Sequence, residues 1–153
     1  MQEQANRNDI QLRRVRRDDW DWIQEWFQDD WLNNELGPLD ETWLEDVLGE
    51  NDGVELIVEE HGNPVAIIGI LWDTNKNPLN VVTSIAVNPN LRRRGIGRRI
   101  LPRAMAWQGL PSTSEWIAYV SKENEVASSF FKSLEWEEDG IENMMIRYKF
   151  EVL

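Results

Sequence analysis

The chain has 153 residues, of which 41% are hydrophobic and 29% charged, and its net charge is −12. This size fits one domain with one core, the composition is too apolar for a disordered chain, and no apolar run approaches the roughly 20 residues of a membrane-spanning helix. The chain has no cysteine, which excludes disulfides, thiolate-metal sites and a cysteine nucleophile, and the acidic charge argues against nucleic-acid or anionic-membrane partners.

The polar residues 1–9 predict a flexible N-terminal tail, and residues 10–153 predict a single domain. The first residues lack the apolar core of a secretion signal, so we expect a cytoplasmic protein. The sole histidine, His61, lies in the turn sequence Glu60-His61-Gly62-Asn63-Pro64 and is better explained as a turn residue than as a catalytic base. Without a cluster of histidines or cysteines, no metal site is expected.

The first half of the chain predicts strands and helices from apolar periodicity and from capping residues. These elements are a strand over Ile10–Val15, a helix from Asp18 or Asp19 to about Phe27, a helix over Glu41–Leu48 between Asp40 and Gly49, and a hairpin of strands over Val54–Glu59 and Pro64–Trp72.

The second half of the chain continues this alternation of strands and helices. The predicted elements are a central strand over Val81–Val87, a helix from Gly95 to about Gln108, a strand over Trp116–Val120, a helix over Asn124–Leu134, a short strand from Trp136 and a last strand over Met144–Val152. Pro102 removes one helical amide, so we expect a kink or an early end there. The predicted order is β-α-α-β-β-β-α-β-α-β-β, a mixed α/β layer structure.

The segment Leu91–Ile100 joins the central strand to the following helix and contains Gly95-Ile96-Gly97. The first amides of such a helix have no helical partner, and together with the helix dipole they form an anion-binding site. Six arginines and no acid lie between residues 92 and 103, which favours a small polyanion. The third glycine of a dinucleotide fingerprint is replaced by Ile100, and the Gly-Lys-Ser/Thr of a P-loop is absent.

The sequence Arg92-Arg93-Arg94-Gly95-Ile96-Gly97 resembles the acetyl-CoA signature of the GNAT acetyltransferase superfamily, (Gln/Arg)-x-x-Gly-x-(Gly/Ala). A second segment, from Asn124 to Trp136, resembles the family pattern Asn-x-x-Ala-x-x-(apolar)-Tyr-x-x-x-Gly-Phe. The element order resembles the family from about residue 10 to the end. The resemblance implies the GNAT acyl-CoA N-acyltransferase fold, with a mixed and mostly antiparallel sheet and a V-shaped cleft between the strands Val81–Val87 and Trp116–Val120.

The resemblance also implies which residues hold acetyl-CoA. Backbone amides around Gly95 would bind the pyrophosphate, and backbone groups of Ile85 and Val87 would pair with the pantetheine arm like an added strand. Asn124 either hydrogen-bonds that arm, caps its own helix, or does both. The implied cofactor-binding residues are Ile85, Ala86, Val87, Arg92, Arg93, Arg94, Gly95, Ile96, Gly97, Arg98, Asn124 and Phe131.

The family's usual proton donor is a tyrosine, and the matching position here is Phe131. Either Ser121 or a bound water donates the proton, or the thiol leaves without help, or the protein binds the cofactor without turning it over. The strand Val81–Ser84 carries no carboxylate, so Asp73 is the candidate general base, with a loop-forming role and a water chain as the alternatives.

The resemblance places the acceptor beside the first helices, where tryptophans and acids are frequent. Trp20, Trp31 and Glu35 are the candidate acceptor-binding residues, since acidic walls attract a cationic amine and indole rings hold ammonium groups; a core of tryptophans under a solvated acidic face is the alternative. We expect an N-acetyltransferase that transfers the acetyl group of acetyl-CoA directly to a small cationic amine, with a homodimer left open as its assembly. The other hypotheses are an acceptor with a peptide α-amine and a catalytically weak acyl-CoA sensor.

Overall fold

The computed structural model describes residues 9–73 and 78–152, and within them seven strands form one sheet. The strands are β1 (Ile10–Arg14), β2 (Gly53–Glu60), β3 (Asn63–Asp73), β4 (Leu79–Val87), β5 (Glu115–Ser121), β6 (Glu137–Glu142) and β7 (Met145–Glu151). They lie in the order β1-β2-β3-β4-β5-β7-β6. All neighbours are antiparallel except β4 and β5, which are parallel. The mixed, mostly antiparallel sheet predicted from the sequence is confirmed.

Five α-helices in the same described ranges flank this sheet, one more than the sequence predicted. They are α1 (Trp20–Trp26), α2 (Asp30–Leu36), α3 (Glu41–Leu48), α4 (Ile96–Met105) and α5 (Glu125–Ser133). The prediction of two helices before the hairpin is wrong, because α2 forms between them. The carboxylate of Asp29 accepts a hydrogen bond from the Leu32 amide at 3.1 Å and caps α2, and the helix ends before the cis Gly37–Pro38 peptide.

Side chains that alternate along the strands divide the core between the two faces of the sheet. On one face Leu56, Ile68 and Tyr148 pack with α4 and α5. On the other face Ile57 and Ile67 pack with α1–α3. The same alternation places Glu55 with Ile57 on the face of α1–α3.

Asp19 precedes α1, but its carboxylate does not cap the helix, which corrects the predicted capping role. It accepts hydrogen bonds from the guanidinium of Arg13 at 2.7 and 2.8 Å, from the Arg16 amide at 2.7 Å and from the indole of Trp22 at 3.0 Å. Burial opposes its charged form, but these donors outweigh burial and lower the pKa of Asp19. Asp19 therefore joins β1 to α1 as a buried ion-pair partner.

Three further features can be compared with the predicted elements: the helix that contains Pro102, the N-terminal tail and the last strand. The helix continues through Pro102 and ends at Met105, short of the predicted Gln108, so the early end expected at Pro102 is not observed. The predicted tail lies outside the described residues except for Asp9, whose carboxylate pairs with the ring of His61 in the β2–β3 turn. The last strand, β7, pairs on both sides, with β5 and β6. Within the described residues no helix combines the length and apolarity needed to span a membrane.

Candidate functional site

β4 and β5 separate partway along their length and leave a V-shaped opening in the sheet. Their pairing runs only from Asn80↔Trp116 to Val82↔Ala118. Beyond that point, no strand of the described chain lies between the end of β4 (residues 83–87) and the end of β5 (residues 119–121). Thr83 also has no register partner on β3, because Ile70 pairs with Val82 and Gly69 with Ser84. This bulge lies where the two strands part, and bulges bend strands.

The free edge of β4 presents backbone groups to the opening. The amide of Asn88 donates to the Val65 carbonyl at 2.9 Å, so residue 88 faces the β3 side. Because successive residues of a strand alternate in the direction of their amide and carbonyl, Ile85 and Val87 point away from β3. Ala86 itself is 3% exposed and packs among α1–α3. The outward backbone groups of Ile85 and Val87 are available to an extended ligand.

α4 begins at the mouth of this opening, and no side chain caps its first turn. Gly95 has φ +70°, a conformation that favours glycine, and a β-carbon there would meet no atom within 4 Å. The first helical bond runs from the Arg99 amide to the Gly95 carbonyl at 3.3 Å, so the amides before it have no helical acceptor. Ile96 is buried and fixes the start of the helix in the core. Such a helix start binds phosphate groups.

Three of the six arginines around this helix have protein partners. Arg92 binds Asp29, Arg99 binds Glu60 at 2.8 Å, and Arg103 donates to the Ile10 carbonyl at 3.0 Å. In the part of the chain that the structure describes, the remaining three guanidinium groups have no ion pair and are exposed; they belong to Arg93, Arg94 and Arg98. These cations lie at the uncapped helix start, where an anion would meet them.

Gly97 and the aromatic pair on α5 serve packing. A β-carbon on Gly97 would come within 2.8 Å of the Phe130 ring, so Gly97 lets α4 and α5 approach each other. Phe131 is 5% exposed and lies in the core, with ring centroids 4.9 Å from Trp136 and 5.8 Å from Tyr148. The sequence could not show this role of Gly97, because it depends on contact with a residue far along the chain.

α2 contacts both sides of the opening. At its start Asp29 holds the guanidinium of Arg92 with two hydrogen bonds, and that guanidinium lies 5.5 Å from the Trp31 ring centroid. Farther along, Glu35 accepts a hydrogen bond from the Asn124 amide nitrogen at 3.2 Å. The Asn124 oxygen meanwhile caps α5 through the Ala127 amide at 3.0 Å. The candidate acceptor residues Trp31 and Glu35 thus lie against candidate cofactor residues.

Trp20 lies elsewhere, in a surface cavity between α1 and α3. Its ring stacks on Trp43 at 6.0 Å. The cavity has a volume of about 510 Å³ and its lining is predominantly acidic: Arg17, Asp18, Trp20, Asp21, Glu41, Leu44 and Glu45. Arg17 pairs with Glu45 at 2.6 Å, which leaves the carboxylates of Asp18, Asp21 and Glu41 to set the charge of the cavity.

The two candidate catalytic residues lie at different distances from the opening. Ser121 ends β5 on the opening itself, and its hydroxyl accepts a hydrogen bond from the Glu123 amide at 3.4 Å. Asp73 is exposed and pairs in register with Leu79, at the end of β4 opposite the Gly95 loop. The structure therefore brings Ser121, and not Asp73, to the place where the strands part.

Glu55 is a residue that the sequence analysis did not select. It lies on β2 opposite Gly69, and burial, with a smaller contribution from Glu50, raises the pKa of its carboxyl group to about 8. Asp29 was likewise not selected; hydrogen bonds from Arg92 lower its pKa. No local sequence pattern marks Glu55, and Asp29 shows only the pattern of a cap before α2.

Comparison with known proteins gives a consistent result. The family model described as acetyltransferase (GNAT) family matches residues 20–136, while no curated protein sequence gives a significant match. An acetyltransferase from Thermus thermophilus superimposes with a TM-score of 0.79 at 17% identity, covering 94% of this chain and 97% of that chain. Spermidine N-acetyltransferase from Vibrio cholerae, in complex with CoA and spermine, superimposes with a TM-score of 0.78 at 16% identity, covering 94% of this chain and 95% of that chain. Arabidopsis thaliana Naa50, in complex with a bisubstrate analogue containing CoA, superimposes with a TM-score of 0.65 at 16% identity, covering 94% of this chain and 99% of that chain.

Proposed function

The chain belongs to the acetyltransferase (GNAT) family, whose co-substrate is acetyl-CoA, and on that premise we propose that it acetylates the primary amine of a cationic acceptor by direct transfer. The observation that carries this proposal is the opening between β4 and β5, which ends at the uncapped start of α4. An extended ligand with a phosphate-rich end fits this combination of a free strand edge and an anion-binding helix start.

The residues present fit acetyl-CoA. The amides from Arg93 to Arg98 would hold the pyrophosphate, and the guanidinium groups of Arg93, Arg94 and Arg98 would neutralise phosphate charge. Ile85 and Val87 would pair with the pantetheine arm through their outward backbone groups. The bound cofactor would supply an activated thioester carbonyl for the amine to attack.

The acceptor would approach from the face of α1–α3. Carboxylates outnumber cations around the cavity of Trp20, and Glu35 lies on the side of α2 that meets α5. A field of this sign raises the local concentration of a cationic amine. Because the chain has no cysteine, no thiol of the protein competes as nucleophile, and the amine attacks the thioester directly. Ser121 or a water would protonate the departing thiolate.

The cofactor site is tested by titrating acetyl-CoA while tryptophan fluorescence and melting temperature are followed. The proteins are the wild type, the double variant Arg94→Glu/Arg98→Glu and the control Lys132→Glu, which reverses one exposed charge on α5. We expect saturable binding by the wild type and the control, and at least tenfold weaker binding by the double variant without loss of its unliganded melting temperature. Absence of wild-type binding at about 1 mM ligand, a weak affinity, contradicts the proposal.

Turnover is tested with thiol detection across a panel of amines. The panel contains a polyamine, a monoamine and a short peptide with a free α-amine, because two comparison structures hold spermine and a bisubstrate analogue. We expect the polyamine to be acetylated with the highest kcat/KM. Preference for the peptide would instead support the α-amine alternative.

The acyl-CoA sensor is a second candidate function, and the burial of Phe131 favours it. No hydroxyl is present at the family's tyrosine position, and the Phe131 ring is fully occupied by core contacts. General acid assistance is typically worth about 10²–10⁴-fold, so its absence slows turnover. Saturable acetyl-CoA binding without release of thiol for any amine would support the sensor.

A further inference from the structure

Resting on the proposed function, we propose that Glu55 is the general base that takes a proton from the ammonium group of the acceptor. The proposal depends on a line of residues that crosses three strands, from β2 over β3 to the free edge of β4. The residues are Glu55, Gly69, Thr83 and Ser84.

Gly69 leaves room for the Glu55 carboxyl group to lean over β3. Glu55 pairs with Gly69 in register, and Gly69 pairs with Ser84. A β-carbon on Gly69 would lie 2.7 Å from Oε1 of Glu55, 2.5 Å from Oγ1 of Thr83 and 2.8 Å from Oγ of Ser84. Three side-chain oxygens therefore converge on the space that a larger residue at position 69 would fill.

This group of oxygens lies beside the opening. Thr83 is the bulged residue of β4, and the last β4–β5 pair is Val82↔Ala118, one residue earlier. Glu55 is on the same face of the sheet as α1–α3, the face from which the acceptor approaches. The residue is half-buried, so the acceptor's ammonium group has access to it.

The Glu55 carboxyl group is not used for structure. Among the described residues none forms a hydrogen bond or ion pair with it, whereas Glu59 on the same strand binds Arg13 at 3.0 Å. Burial of an unpaired carboxyl group destabilises a fold, and such groups concentrate at functional sites. A glutamine or an apolar residue would satisfy the packing alone at lower free energy.

The charges around Glu55 determine how it titrates. In register with Glu55 on β3 and β4 are Gly69 and Ser84, with the bulged Thr83 beside them, and none of these titrates in this range; Glu50 is the carboxylate whose charge acts on Glu55. Together, burial and Glu50 raise its pKa to about 8. A carboxylate with this pKa accepts a proton from an alkylammonium far more readily than an ordinary carboxylate does, since its proton affinity is closer to that of the amine.

The reaction then balances in protons and electrons. The Glu55 carboxylate takes one proton from the ammonium, and the freed nitrogen lone pair forms a bond to the thioester carbonyl carbon. The carbon–sulfur bond breaks with its electron pair on sulfur. The nitrogen loses a second proton, and the thiolate gains one through Ser121 or a water. Glu55 returns its proton to solvent, so each cycle releases one proton.

The experiment compares Glu55→Gln with the wild type and with the control Glu137→Gln, an exposed glutamate on β6, using the best amine of the panel. We expect Glu55→Gln to bind acetyl-CoA as the wild type does, while kcat falls by about 10²–10⁴-fold. For the wild type and the control, kcat/KM should rise with pH to a plateau above an apparent pKa near 8, and this step should be absent from Glu55→Gln. Full activity and an unchanged pH profile in Glu55→Gln overturn the proposal.

A second measurement keeps the proposal testable if the wild type acetylates no amine, a result that contradicts the proposed function. Because the folded-state pKa of Glu55 is raised above its unfolded value near 4.5, its contribution to wild-type stability should fall as pH rises from about 4.5 to 8. Glu55→Gln lacks this penalty, so its melting temperature should exceed that of the wild type increasingly over that interval. A constant difference in melting temperature shows an ordinary carboxyl group and overturns the assignment independently of turnover.

Discussion

Gly69 is the residue that leaves room for the proposed general base, because the side-chain oxygens of Glu55, Thr83 and Ser84 meet where a β-carbon at position 69 would lie. We predict that Gly69→Ala leaves acetyl-CoA affinity within about twofold but lowers kcat by roughly tenfold or more, since displacement of a proton acceptor forfeits part of its 10²–10⁴-fold contribution. The measurement is steady-state kinetics beside a binding titration. The matched control is Gly49→Ala, where a β-carbon would contact only the Glu45 carbonyl, at 3.5 Å; equal kinetics for both variants would contradict the prediction.

Asp19 contrasts with Glu55, because its buried carboxylate accepts hydrogen bonds from Arg13, Arg16 and Trp22. Its pKa is lowered from a reference of 3.8, so its contribution to stability is present above that reference and is lost as pH falls through the lower folded-state pKa. We predict that Asp19→Asn destabilises the protein by about 1–3 kcal/mol at pH 7. Thermal unfolding at decreasing pH should show the deficit shrinking below about pH 4. A deficit that persists unchanged at the lowest pH of folding would show that the charge is not its source.

Glu55 and Asp19 also show what local sequence patterns cannot predict. The period of two in Val54–Glu59 predicts β2 correctly, and it marks Glu55 only as a polar position on a strand. What distinguishes Glu55 is its register against Gly69 and the register of Gly69 against Ser84. Register between distant strands is set by turn geometry and by which face is buried. A group of side chains that spans three strands therefore leaves no pattern within any one segment of the sequence. The uncapped start of α4, in contrast, was predictable, because the residues that form it lie between residues 91 and 100.

Among the elements, α2 carries the clearest difference from the sequence prediction. Its seven residues include two asparagines and a glycine follows directly, so propensity alone favours a loop. The cap at Asp29 and the burial of Leu32 stabilise it instead. Asp-x-x-Leu at residues 29–32 is the local pattern that indicates this helix start.

The dual role of Asp29 can be separated by two substitutions. Asn at position 29 keeps a cap and loses the ion pair with Arg92, whereas Ala loses both. We predict that Asp29→Asn lowers the free energy of unfolding only slightly, because exposed ion pairs contribute little, and that Asp29→Ala lowers it further through loss of the helix cap. Urea unfolding monitored by circular dichroism measures both. If the two variants are equally destabilised, the cap is not what holds α2.

At the scale of the whole molecule, basic residues cluster at the start of α4, and acidic residues predominate around the Trp20 cavity. The net charge is −12 although six arginines cluster between residues 92 and 103. We predict that rising salt weakens binding of both substrates: Kd for acetyl-CoA and KM for a polyamine should each increase between about 0.05 and 0.5 M salt, because the Debye length shrinks over this range. KM for a monoamine should change less. A salt-independent KM for the polyamine would contradict long-range attraction by the acidic face.

The outermost strand of the sheet, β6, is exposed along all its length and contains Glu137, Glu138, Asp139 and Glu142. An unpaired edge is a template on which another copy can add a strand, and like charges on it prevent that pairing. These four acids therefore oppose edge-to-edge pairing of two copies at β6. At neutral pH, light scattering should show dispersed particles. Replacement of these four acids by the neutral Gln and Asn should let copies join edge to edge into ordered aggregates, which the same measurement would detect.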